Sequence, residues 1–98
     1  MKKEFHNKVS LNEDKSIIEY FITKTEKTDD VFNPQKRYGI EVVKKQIFSG
    51  NTYREIKRID NMFEDALQAK AVLDILYRNC VTPIAVSDVI DDLLVLKK

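Results

Sequence analysis

Several residue types that mark specialised chemistry are scarce in this sequence. Of its 98 residues, two are glycine, two proline, one histidine and one cysteine, and none is tryptophan. A single cysteine excludes an intramolecular disulfide and fits a reducing compartment. One histidine and one cysteine fall short of the several His or Cys ligands that a transition-metal site normally takes. Two glycines leave no glycine-rich loop to cradle a phosphate. No apolar run reaches the length of a membrane-crossing helix. The start, MKKEFHNK, has the positive end of a signal peptide but no apolar stretch behind it. Charge of one sign is also missing. The net charge is +1, so no global field points to nucleic acid, a membrane surface or an acidic substrate.

What is present is ordinary for one globular domain over residues 1–98: 43% hydrophobic and 34% charged residues. Alternation carries the first half. Phe5, Val9 and Leu11 fall at odd positions between polar neighbours, which reads as a short strand or a frayed end within 1–12. Ser16–Thr25 is a clearer strand, with Ile18, Tyr20 and Ile22 on one face and Ile17 and Phe21 on the other. Residues 26–35 read as a loop, with Asp29, Asp30, Asn33 and Pro34 as breakers and Val31 and Phe32 as its apolar members. Arg37–Phe48 is a second clear strand. Its apolar parity shifts from Tyr38, Ile40 and Val42 to Val43 and Ile47, which implies a β-bulge at Val42–Val43 or a strand apolar on both faces. Gly39 suggests close approach of another segment. Ser49–Gly50–Asn51 is a tight turn, with Gly50 able to take positive φ. Thr52–Ile59 then returns antiparallel as an edge strand, guarded by Arg54, Lys57 and Arg58.

The second half changes period. Ala66, Ala69, Leu73, Leu76 and Cys80 recur at spacings of three and four, predicting a helix over 63–79 capped by Asp60 or Asn61 and ending near Asn79. Val86, Val89, Ile90, Leu93 and Leu94 predict a second helix over 87–96, with Ser87 as N-cap and Lys97 and Lys98 at its close. Strands followed by helices imply an α+β fold: a three- or four-stranded antiparallel meander with two C-terminal helices packed on one face. Tyr38-Gly39-Ile40, and Thr82-Pro83 leading to Asp88-Val89-Ile90-Asp91-Asp92, resemble a family of short bacterial proteins of unknown function over about residues 16–94. The resemblance implies a small intracellular protein with no established activity, and it offers no functional residues.

Chemistry is thin. Acid–base or nucleophilic catalysis needs a base beside a nucleophile; His6 lies near a terminus, and Cys80 reads as a buried structural thiol. No enzyme activity and no cofactor are expected. Asp88, Asp91 and Asp92 on one helix do not converge as a calcium loop does. Charge is uneven, however. Residues 33–59 carry seven basic residues (Lys36, Arg37, Lys44, Lys45, Arg54, Lys57 and Arg58) against two glutamates, a net +5, whereas 60–98 is net −3. That ribbon, with Tyr38, Phe48 and Tyr53, is the nucleic-acid alternative. A regular pleat, though, divides its basic residues between two faces. The favoured expectation is a cytoplasmic protein-binding or regulatory module, possible as a homodimer, whose surface is the apolar surplus Ile17, Phe21, Val43 and Ile47.

Overall fold

The computed structural model describes residues 2–11, 15–25 and 38–96. The architecture is the expected one. Strands β1 (Lys2–Leu11), β2 (Ser16–Lys24), β3 (Tyr38–Phe48) and β4 (Asn51–Phe63) form one antiparallel sheet in the order β1-β2-β3-β4. Helices α1 (Ala66–Arg78) and α2 (Val86–Leu96) follow, with a 3-10 turn at Pro83–Ala85 leading into α2. The anticipated loop at 26–35, with Val31 and Phe32, lies outside the described residues, as do Lys97 and Lys98.

Register explains which side chains meet. Ile18, Tyr20 and Ile22 of β2 stand opposite Lys44, Val42 and Ile40 of β3. These β2 residues and Ile40 and Val42 form the sheet side of the core, beneath Ala69, Leu73 and Leu76 of α1 and Val86 and Ile90 of α2. Tyr20 ties the layers together. Its ring meets Tyr77 edge to face at 6.1 Å, and its hydroxyl donates to the Val81 carbonyl at 2.9 Å. Burial, and secondarily the neighbouring Cys80, pushes the Tyr20 phenol well above the ordinary tyrosine range.

Several local expectations are corrected. β4 runs to Phe63 rather than Ile59, so α1 starts at Ala66 rather than at 63. Its cap is therefore Asp65, not Asp60 or Asn61: the carboxylate accepts from the Gln68 N–H at 2.8 Å, while Gln68 reaches back to the Glu64 N–H at 3.1 Å. Asn79 closes α1 at φ −99°, and the left-handed residue is instead Cys80, at φ 51°. The Cys80 N–H bonds the Tyr77 carbonyl and the Val81 N–H bonds that of Leu76, a Schellman closure that turns Cys80 outward and leaves it exposed rather than buried. Pro83 opens a 3-10 turn running straight into α2, so Ser87 sits inside the helix rather than capping it.

Two bulges shape the sheet. One lies between Phe5 and Asn7, where His6 is extra. It puts Phe5 and Val9 on opposite faces despite their shared odd parity. The second lies in β4: the single residue between Tyr38 and Ile40 of β3 faces the three between Ile59 and Phe63 of β4. Asn61 in this bulge has φ 55°. Across from it, a Cβ on Gly39 would stand 2.1 Å from the Ile59 carbonyl oxygen and 2.8 Å from the Asp60 Cα. Gly39 thus permits the close approach its sequence position suggested. No bulge interrupts Val42–Val43; pairing with both neighbours is regular there, and β3 is apolar on both faces. The β3–β4 turn places Ser49 at φ 52° and Gly50 at φ 80°, the two successive positive angles of a hairpin turn whose twist matches its strands.

Candidate functional site

Both helices lie on one side of the sheet, and the odd-numbered residues of β2 and β3 point to the other. The register sets them in rows across the strands. Phe5, Phe21, Glu41 and Arg58 form one row; Lys8, Glu19, Val43 and Ile56 the next; Ser10, Ile17, Lys45 and Arg54 a third. Ile47 lies beyond, opposite Thr52. The four apolar residues singled out from the sequence, Ile17, Phe21, Val43 and Ile47, therefore share the face that the helices leave uncovered.

Their exposures differ. Ile47 is 67% and Ile17 39% exposed, Phe21 is half-buried, and Val43 on a central strand is only 3% exposed. The structure adds two members that pattern alone did not place with them. Phe5 is 51% exposed and packs edge to face on Phe21, with ring centroids 5.7 Å apart. Ile56 of β4 is 56% exposed beside Val43. Ile56 is opposite in parity to Tyr53 and Ile59 along β4, and the β3–β4 register is what sets it beside Val43. Phe5 was hidden by the His6 bulge, which no parity count reveals.

The charges on this face are largely matched within it. Glu41, nearly buried, accepts from the Lys3 ammonium at 2.8 Å, with an Arg58 nitrogen at 4.0 Å. Arg58 also donates to Asp60 at 3.1 Å, and Asp60 accepts from the Thr23 hydroxyl at 3.3 Å. Lys3 lies 4.5 Å above the Phe21 ring. In the next rows, Lys45 pairs with Glu19 at 2.9 Å. A buried carboxylate such as Glu41 is tolerable only with partners of this kind.

The basic ribbon is divided as its pleat predicts. Lys45, Arg54 and Arg58 stand on the open face, whereas Lys44 and Lys57 share the helix-side parity of Val42 and Ile18. Lys36 and Arg37 lie outside the described residues. His6 is 2.9 Å from Asp74 of α1, joining β1 to the helix layer, and is not paired with Cys80. Among the described residues, no group of three or more His, Cys, Asp or Glu side chains converges as metal ligands would, and no helix is long and apolar enough to cross a membrane. A cavity of about 160 Å³, lined by Met62, Phe63, Val72, Ile75, Ile90 and Leu93 among others, separates the bulged end of β4 from the helices. It is smaller than the roughly 300–1,000 Å³ of typical small-molecule pockets, a range that an open cleft of about 410 Å³ beside Lys3, Ile22, Lys24 and Tyr38 does reach.

Against known proteins, the model of a family of unknown function (DUF6514) matches residues 1–96. No curated protein and no solved structure matches the chain.

Proposed function

We propose, for a chain that belongs to the DUF6514 family of unknown function, a non-enzymatic role as a small cytoplasmic module that binds another protein, or a second copy of itself, through the open face of its sheet. One observation carries this reading. Phe5, Ile17, Ile47 and Ile56 are large apolar side chains, each more than a third exposed, gathered on one face of four paired strands. An antiparallel sheet that meets water on one side ordinarily alternates to polar residues there, and a contiguous exposed apolar patch usually marks an interface. The one imidazole that could activate the Cys80 thiol is engaged with Asp74 instead, at 2.9 Å.

The test is co-purification from a native extract with an untagged copy of the chain co-expressed, protein and nucleic acid both being identified. A protein retained by the parent and by Ile84→Glu on the helix side, but lost with Ile47→Glu, supports the reading. Retention of nucleic acid that is lost with Lys44→Glu plus Lys45→Glu would overturn it in favour of the basic hairpin.

A further inference from the structure

The width of the apolar patch narrows its occupant. Phe5 stands on β1, Ile17 and Phe21 on β2, Val43 and Ile47 on β3, and Ile56 on β4. Side chains therefore have to be covered on all four strands, whose outer axes are roughly 14 Å apart at the usual spacing of paired strands. A docked helix, about 10–12 Å across with its side chains, would cover some of these strands and leave apolar side chains of the others in water. A flat surface of the sheet's own dimensions is the better match.

The electrostatics point the same way. Lys3, Glu41, Arg58 and Asp60 are matched among themselves, and so are Lys45 and Glu19. A partner lying on this face need supply no counter-charge, and burying these pairs strands no lone ion. Lys8 and Arg54, both exposed on the two outer strands, are long enough to carry their charges past the edge of a covered sheet into water. The extent of the face is sufficient. Four strands of about nine paired residues present roughly 600 Å², so two copies together bury about 1,200 Å², the lower end of stable interfaces.

Resting on the reading of the open face as the binding surface, we infer that its occupant is a second copy of this chain, packed face to face about a twofold axis as a sheet-on-sheet sandwich. Twofold pairing covers the same patch on both copies, and aligned packing of two antiparallel sheets at about 10 Å separation is a standard way to close such a core.

Sedimentation equilibrium of the full chain over a concentration series tests this. The parent is expected to approach twice the 11.5 kDa mass of one chain as concentration rises. Ile56→Glu and Phe5→Glu, on opposite outer strands, should each weaken association at least tenfold while keeping the parent's circular dichroism. Ile84→Glu, at a position 79% exposed on the helix side, should leave it unchanged. A parent that stays at the mass of one chain at high micromolar concentration overturns the second copy, while the co-purification experiment still decides whether the open face binds another protein. An Ile84→Glu variant that dissociates as readily as Ile56→Glu overturns the inference too, because association would then use the helix side.

Discussion

Replacing Gly39 with alanine probes the tightest point of the fold. In most strands the change would be favourable, since alanine restricts the unfolded chain and stabilises by about 0.4–1 kcal/mol where its backbone angles are allowed. Here the added methyl meets the Ile59 carbonyl oxygen at 2.1 Å, the Thr23 hydroxyl at 2.7 Å and the Asp60 Cα at 2.8 Å. Two of these three are backbone atoms inside the β4 bulge, so no rotamer change relieves the contact. Either β4 moves away from β3 or the bulge rearranges, and both disturb the ion pairs of Arg58 with Asp60 and Glu41. Overpacking of this kind costs about 1–3 kcal/mol, and the backbone obstruction places Gly39→Ala at about 2–3 kcal/mol. For a domain of about 100 residues that lowers Tm by roughly 10–20 °C. Thermal unfolding followed by circular dichroism, with urea unfolding at unchanged slope, reads the effect. Gly50→Ala is the contrast: no atom lies within 4 Å of its added methyl, and its cost comes from φ 80° alone. A Gly39→Ala variant melting at or above the parent would refute the close approach of β4.

Leu73→Ala and Leu76→Ala each remove a side chain that is 0% exposed beneath the helix layer, and each should cost about 2–5 kcal/mol in denaturant unfolding. Tyr20→Phe leaves the Val81 carbonyl without its donor, a loss of about 1–3 kcal/mol. Because the folded state holds the Tyr20 phenol above its unfolded value, the stability this contributes is complete below a pH of about 10 and is lost as pH rises further; alkaline denaturation of the parent should show that decline, and Tyr20→Phe should lack its share. Ile47→Glu, at a position 67% exposed, should change monomer stability by less than about 0.5 kcal/mol, measured at dilution. Lys44→Glu combined with Lys45→Glu should abolish no nucleic-acid binding, because fluorescence anisotropy with the parent should show none; a complex weakening steeply with salt would promote the basic hairpin.

The alternations of Ser16–Thr25 and Arg37–Phe48 were legible because both central strands obey a strict period of two, and the same parity put Ile17, Phe21, Val43 and Ile47 together. What stayed hidden depended on non-local geometry. The His6 bulge reverses parity within β1 and so concealed Phe5. Asp60–Phe63 carries capping residues and an aromatic that suit a helix start, but pairing of Phe63 with Tyr38 holds the segment in β4. Cys80 looked like the last member of the α1 stripe, yet the chain reverses there and the stripe ends at Leu76. The matched charges around Glu41 draw on β1, β3 and β4 at once, and register alone assembles them.

Face-to-face pairing of two copies would bury the sheet face opposite the helices. Isotope-filtered nuclear Overhauser spectra on a mixture of differently labelled chains test it most directly, since only contacts between copies give signal. Face-to-face pairing predicts cross-peaks linking the methyl groups of Ile17, Ile47 and Ile56 and the rings of Phe5 and Phe21 to the same set on the other copy. Cross-peaks confined to Leu67 and Ile84 on the helix side, or none at all at high micromolar concentration, would contradict it.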